Sequence, residues 1–155
     1  MIRKLVPMLA AAAAVSLVAA SAATADPPTR TFVPFPGALT GEFCPGVQVQ
    51  ITALLNNEYA IAFTNGSVIT TGQLVAQVKN LSTGKSVVVN ASGPGKLDAD
   101  GTFTLRGETL VFLTPGTIAP GSPATTYILS GVLSFAPDGT VTQTGHITDI
   151  CSQIT

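Results

Sequence analysis

The clearest strand pattern in the sequence is Thr125–Asp149, which reads TTYILSGVLSFAPDGTVTQTGHITD. Its first half alternates apolar with polar residues, and this period of two is typical of a β-strand with one buried face. The apolar side carries Tyr127, Leu129, Leu133 and Phe135. Pro137-Asp138-Gly139 then predicts a turn, because proline fixes φ and glycine accepts the left-handed region. The stretch therefore predicts two strands, Thr125–Phe135 and Thr140–Asp149, on either side of a turn.

The same alternation recurs through the chain ahead of this stretch. The predicted strands are Val47–Ala53, Tyr59–Thr64, Val68–Lys79, Ser86–Ser92, Thr102–Arg106 and Glu108–Leu113. Gly72 is expected to mark a bulge or bend in the third of them, and Gly107 to separate the last two. About eight strands with no helical period predict an all-β domain, either a single antiparallel β-sandwich or a small eight-stranded β-barrel. Periodicity leaves both architectures open.

Residues 1–25 read as a secretion signal. Arg3 and Lys4 form a positive head, Leu5–Ala20 is an apolar run, and Ala23-Thr24-Ala25 is a small-x-small cleavage site. The run is too short and too rich in alanine for a membrane anchor, which needs about 20 apolar residues. We expect an exported, extracellular protein with no membrane span once the signal is cleaved.

The rest of the chain divides into two parts. Residues 26–46 are expected to form an extended, proline-rich N-terminal segment, since Asp26–Pro36 alone holds four prolines. Residues 47–155 are expected to form the β domain. Within this domain Thr114–Ala124 contains three prolines and two glycines, which predicts a surface loop that could rim a binding site.

Cys44 and Cys151 are the two cysteines of the chain. An exported protein meets an oxidising compartment, where an even number of cysteines indicates a disulfide. The bridge would tie the start of the β domain to its last strand. A closed zinc site is not expected, because two thiols and a single histidine supply too few ligands.

Charge excludes one large class of partners. Residues 26–155 contain five basic and eight acidic residues, a net charge of −3. A nucleic-acid binder needs a basic face, so no nucleic-acid partner is expected. The same deficit of lysine and arginine argues against a polybasic anchor on a membrane surface.

No set of residues forms a recognisable catalytic motif. His146 is the single histidine, and it shares the polar side of its strand, so we expect it to face solvent. If the strands closed into a barrel with a polar lumen, the same parity would put His146 inside, with Glu42, Glu58 or Glu108 as the available partners. Asp149 lies three residues further on and would point to the opposite face. The weak candidates for a binding group are His146, Glu108, Tyr59 and Tyr127. We predict no catalytic residue, no metal ligand and no cofactor.

Three Asn-x-Ser triplets begin at Asn65, Asn80 and Asn90. In a eukaryotic secreted protein such triplets can carry glycans. We favour a role in turns, because asparagine side chains readily bond nearby backbone and the alanine-rich leader looks bacterial.

Several segments of the sequence carry a resemblance to a known group of proteins. Besides the leader, they are KNLSTGKSVVVN (Lys79–Asn90), SGPG (Ser92–Gly95), DGT (Asp100–Thr102) and DIC (Asp149–Cys151). In these the chain resembles small exported proteins of uncharacterised function from high-GC actinobacteria. The resemblance implies an extracellular bacterial β-protein. No activity, ligand or catalytic residue is attached to that group, so none is implied for this chain.

Three functions are compatible with these features. The first is a secreted, non-catalytic β-module that binds a small molecule, a glycan or a protein. The second is a barrel-type isomerase or cyclase with a small cavity. The third is a structural protein of the cell surface. A closed cavity above about 300 Å³ with convergent polar groups would favour the first with a small ligand, or the second. A filled core with an apolar surface would favour a protein partner.

Overall fold

Strands make up most of the chain that this computed structural model describes, which is residues 26–117 and 120–155. The predicted signal, residues 1–25, lies outside the described residues. The strands are β1 (Thr29–Phe32), β2 (Ala38–Cys44), β3 (Val47–Asn56), β4 (Tyr59–Ala62), β5 (Val68–Thr71), β6 (Leu74–Asn80), β7 (Ser86–Asn90), β8 (Gly95–Leu97), β9 (Phe103–Leu113), β10 (Thr125–Phe135) and β11 (Val141–Asp149). One short helix follows, α1 (Cys151–Ile154).

The strands form two antiparallel sheets. The large sheet has the order β1-β4-β5-β8-β9-β10-β11, and the small sheet has the order β2-β3-β6-β7. In the described part of the chain β1 and β11 do not pair with each other, so the large sheet stays open. The all-β prediction is confirmed, and of its two alternatives the structure has the sandwich. The described residues form eleven strands where the sequence predicted about eight.

The stretch Thr125–Asp149 forms the hairpin that its pattern predicts. β10 spans Thr125–Phe135 and pairs with β9 on one side and β11 on the other. One face of β10 carries Tyr127, Leu129 and Leu133, which form a buried cluster with Val111 of β9. The predicted apolar side is therefore buried. The opposite face of β10 turns towards the small sheet, where Ile128 joins the main core.

A row of glycines crosses the large sheet. Gly107, Gly131 and Gly145 are direct neighbours across the β9–β10 and β10–β11 ladders. Gly107 has φ of 74° and Gly145 has φ of 108°, values that disfavour any residue with a side chain. The predicted strand break at Gly107 is wrong. The chain passes through this glycine without leaving the ladder, and Thr102–Arg106 and Glu108–Leu113 fall in or next to a single strand, β9.

Gly72 marks a change of sheet rather than a bend within one strand. The predicted run Val68–Lys79 is divided into β5, in the large sheet, and β6, in the small sheet. Gly72 lies between them with φ of 146°. A Cβ atom there would lie 2.2 Å from the carbonyl oxygen of Asn57, so the crossing chain has no room for a side chain.

Two strands lie within the segment 26–46. β1 pairs with β4 at one end of the large sheet, and β2 pairs with β3 at one edge of the small sheet. This differs from the expected extended segment. All four residues of β1 are exposed, so it lacks the alternation that marks a half-buried strand. Backbone bonds to a neighbouring strand hold it in place, and the sequence alone does not display that neighbour.

The main core lies between the two sheets and contains the disulfide. Cys44 and Cys151 are bonded, with their Cα atoms 5.5 Å apart, as the sequence predicts. Next to this bridge the Thr126 hydroxyl of β10 donates a hydrogen bond to the carbonyl oxygen of Phe43 in β2, at 2.6 Å. The buried members of this core are Cys44, Val49, Ile51, Ala76, Val78, Val89, Ile128, Ile150, Cys151 and Ile154.

The three Asn-x-Ser triplets make the same local contact. In each one the asparagine Oδ1 accepts the backbone N–H two residues later, from Ser67, Ser82 or Ser92. Asn80 is also buried, and its Nδ2 donates to the carbonyl oxygen of Ile154 at 3.0 Å. The turn interpretation explains all three asparagines.

Candidate functional site

Two of the four candidate residues lie in one row across the large sheet. Ser130 of β10 is the direct partner of Glu108 on one side and of His146 on the other. Direct partners project from the same face, with Cβ atoms about 5 Å apart. Glu108 and His146 are therefore about 10 Å apart, two strand spacings. All three side chains are exposed, and the structure records no hydrogen bond between them.

The two tyrosine candidates lie elsewhere. Tyr127 is on the opposite face of β10, is 6% exposed, and donates a hydrogen bond to Gln143 Oε1 at 3.0 Å. Burial raises the pKa of its hydroxyl above the ordinary value. Tyr59 is on β4, where the Arg30 guanidinium carbon lies 3.8 Å from its ring centroid. The four candidates therefore do not converge on one site.

A shallow cleft of about 230 Å³ lies between the small sheet and the face that carries Glu108. We call it the β7 cleft, and its lining residues are Val87, Val88, Val89, Asn90, Glu108, Ile128, Thr148, Ile150 and Gln153. Its floor is apolar, because Val89, Ile128 and Ile150 are buried. Among the described residues, Glu108 is the single ionisable one that lines it.

The free edge of β7 forms one wall of this cleft. Four consecutive residues, Val87–Asn90, line it. Successive side chains of a strand point to opposite faces, so four in a row meet one cleft only along the strand's edge. β7 pairs with β6 on its other side, and no strand of the described chain pairs with it here. The wall therefore presents unpaired backbone as well as side chains.

Two contacts bring the walls together. Directly after β7 the chain crosses to the large sheet, and the N–H of Gly93 donates to the carbonyl oxygen of Glu108 at 2.5 Å. A Cβ atom at Gly93 would lie 2.4 Å from that oxygen, so only glycine fits this crossing. At the small sheet, the bond from Asn80 Nδ2 to the carbonyl oxygen of Ile154 holds α1 in place. This places Gln153 at the cleft.

Sequence reasoning found one residue of this cleft, Glu108, and missed the others. The available signal was the uncharged run Val87-Val88-Val89. The pattern predicts a strand there, but it does not tell whether that strand is central or at an edge. The loop Thr114–Ala124, expected to rim a site, contributes no lining residue in its described part.

Two observations bear on what the β7 cleft can hold. Residues 26–117 and 120–155 contain no group of three histidine, cysteine, aspartate or glutamate side chains that could hold a metal ion. The cleft volume of about 230 Å³ is below the roughly 300 Å³ at which pockets for drug-sized ligands begin. The cleft therefore combines an apolar floor, a free strand edge and one carboxylate.

The two aspartates of the segment Asp98–Gly101 are engaged in local contacts. Lys96 Nζ lies 2.5 Å from Asp98 Oδ1, and Asp100 Oδ1 accepts the backbone N–H of Thr102 at 2.9 Å. This bond from Thr102 lowers the pKa of Asp100 below its ordinary value. Both contacts are those of a surface turn.

Among the described residues, the short α1 is the only helix. It lacks the length and apolar character that a helix needs to cross a bilayer. No protein-family model matches the chain, and no curated protein or solved structure matches it significantly.

Proposed function

We propose that this protein is a secreted, non-catalytic module that binds another protein through the β7 cleft. The observation that carries the proposal is the lining of the cleft by four consecutive residues of a strand edge, Val87–Asn90. Free edges are surfaces on which other polypeptides pair, and apolar pockets beside them add selectivity. The disulfide is compatible with an extracellular location, because such bonds persist in oxidising compartments.

A protein partner explains this cleft better than a small molecule does. A small ligand needs an enclosing pocket that removes most of its surface from water. The β7 cleft is open to solvent, and its polar lining residues, Asn90, Glu108, Thr148 and Gln153, are all exposed.

An enzyme is the weaker alternative. The one row that combines a serine, a histidine and an acid places Ser130 between His146 and Glu108. A hydrolytic site needs the histidine between the serine and the acid, with both in hydrogen-bond contact. The separation of His146 from Glu108 by about two strand spacings does not meet that requirement.

The test is a screen of the purified, disulfide-bonded protein against displayed peptides, a glycan array and a small-molecule set. Thr148→Arg fills the rim of the cleft. Thr142→Arg is the matched control, since Thr142 is also exposed on β11 and on the same face but does not line the cleft. We expect peptide hits that weaken by about tenfold or more in Thr148→Arg and keep their affinity in Thr142→Arg.

Two results would overturn the proposal. One is a set of peptide hits that bind the Thr148→Arg variant as well as the unchanged protein, or no peptide hits at all. The other is a sugar or small molecule that depends on Thr148 while peptides do not. Turnover of a bound compound would remove the non-catalytic part of the proposal.

A further inference from the structure

The backbone of β7 has a defined set of unpaired groups. Ala91 N–H donates to the Leu74 carbonyl oxygen at 2.8 Å, and Asn80 N–H donates to the Lys85 carbonyl oxygen at 2.9 Å. In an antiparallel ladder every second residue bonds to the partner strand. The odd-numbered residues of this segment therefore bond to β6.

It follows that Val88 and Asn90 direct their N–H and C=O groups towards the β7 cleft. Ser86, at the start of the strand, directs its backbone groups to the same side but does not line the cleft. These groups form a row of hydrogen-bond donors and acceptors. Neighbouring members of the row are two residues apart, which is about 7 Å along the strand.

Resting on the proposed function, we infer that the partner binds as an extended polypeptide that adds a fifth strand to the small sheet at the free edge of β7, with a lysine or arginine beside Glu108. Strand addition supplies main-chain hydrogen bonds, and alternate side chains of the added strand enter the cleft. The apolar floor of Val89, Ile128 and Ile150 receives them.

The other free edges carry features that hinder pairing. β1 has four residues and contains Arg30, and β2 contains Glu42 and shifts register between Glu42 and Cys44. β11 has Gly145 at φ of 108° in its middle. Short length, charge and local distortion are the means by which proteins protect sheet edges.

β7 is also short, with five residues, but it carries neither a charged residue nor a register shift. Its sequence, Ser-Val-Val-Val-Asn, contains neither charge nor proline, and Val88 is 55% exposed. An unprotected edge of this kind pairs readily with another strand. A specific partner strand is the occupant that suits an edge with a shaped cleft beside it.

The negative charge of the cleft favours a partner strand that carries a basic residue. Glu108 is the single ionisable residue lining the cleft, and it forms no salt bridge within the described residues, where the recorded pair is Lys96 with Asp98. Arg106 lies on the same face of β9 but outside the cleft lining. Residues 26–155 carry a net charge of −3, so the whole surface also attracts a basic partner.

The test uses a displayed library of proline-free peptides of about nine residues, the length of a long strand. We expect the hits to be rich in β-branched residues and to contain lysine or arginine. Resynthesis with N-methyl groups on alternate residues removes the backbone donors of one edge and keeps the side chains. We expect that change to weaken binding by about tenfold or more.

Two further measurements locate the strand. Glu108→Gln is expected to weaken the basic peptides by about threefold to fivefold, whereas Glu42→Gln, which changes an exposed acid on β2, leaves their affinity unchanged. Amide hydrogen exchange at Val88 and Asn90 is expected to slow on binding, since their N–H groups become paired.

The failures of the two proposals are distinguishable. If peptide hits require Thr148 but tolerate N-methylation on either set of alternate residues, the β7 cleft binds protein and strand addition is wrong. If Glu108→Gln leaves basic hits unaffected, the selection by charge is wrong. If no peptide depends on Thr148, the proposed function itself fails.

Discussion

Gly131 of β10 and Gly145 of β11 lie opposite each other, and neither position has room for a side chain. A Cβ atom on Gly131 would lie 2.1 Å from the carbonyl oxygen of Thr144, and one on Gly145 would lie 2.4 Å from that of Ser130. The two strands therefore approach here by backbone alone. The row formed by Glu108, Ser130 and His146 lies next to this contact. The positions of these three residues depend on the same close pairing of the strands.

Gly131→Ala is expected to destabilise the protein strongly. The added methyl group meets main-chain atoms, which cannot give way as the end of a flexible side chain can, so the two strands must separate. We expect a loss of about 3 kcal/mol or more in the free energy of unfolding, measured by urea denaturation. Gly37→Ala is the matched control, because a Cβ atom at Gly37 has no neighbour within 4 Å. Equal stabilities of the two variants would contradict this account of the glycine row.

We expect the disulfide to stabilise the protein mainly by lowering the conformational entropy of the unfolded chain. The bond joins residues separated by 107 positions, and chain entropy predicts a contribution of about 4 to 5 kcal/mol for such a loop. The double variant Cys44→Ser, Cys151→Ser should unfold at much lower urea concentration. After reduction, the wild-type protein should have a similarly low urea midpoint of unfolding. The midpoint of the double variant should not respond to reductant. A midpoint that reduction leaves in place would contradict the prediction.

Two buried threonines are expected to respond oppositely to loss of the hydroxyl. Thr126 is fully buried and donates to the carbonyl oxygen of Phe43, which joins the two sheets. Thr126→Val leaves that oxygen unpaired and should cost about 1 to 3 kcal/mol. The Thr109 hydroxyl is buried without a hydrogen-bond partner among the described residues. Thr109→Val should therefore keep or raise stability, which thermal unfolding of both variants would measure. A larger loss for Thr109→Val than for Thr126→Val would show that the assignment is wrong.

The lowered pKa values of two aspartates in turns predict that the protein loses stability in acid. The backbone N–H groups of Thr102 and Thr140 lower the pKa of Asp100 and Asp138 below their ordinary value of 3.8. A carboxyl group whose pKa is lower in the folded state stabilises the fold above its unfolded pKa. That contribution is lost as the pH falls through the folded value.

The double variant Asp100→Asn, Asp138→Asn should therefore show a smaller fall in melting temperature between about pH 5 and about pH 3 than the unchanged protein does. Asparagine keeps a side-chain oxygen that can accept the same N–H groups but does not titrate. Asp26→Asn, which removes a carboxylate outside the turns, is the control with which the slope of the double variant is compared. Parallel curves for the double variant and the unchanged protein would refute the role of these two groups.

The local pattern of the sequence was sufficient for several features. The bounds of β10 followed from alternation, and the turn at Pro137-Asp138-Gly139 followed from the φ values that proline and glycine favour. The pairing of Cys44 with Cys151 was determined by there being no other cysteine. Each of these depends on residues close in sequence or on a choice with one outcome, so composition and spacing are enough.

Pairing between distant strands decided the rest. The passage of β9 through Gly107, the division at Gly72 and the strands β1 and β2 all depend on which backbone lies alongside, and periodicity does not report that. The same holds for the β7 cleft. Val87–Val89 is predicted as a strand from its composition, but only the tertiary structure leaves it at an edge, facing Glu108. The physical reason is that an alternating pattern specifies which side of a strand is apolar, whereas the choice of neighbouring strand comes from contacts between residues far apart in the chain.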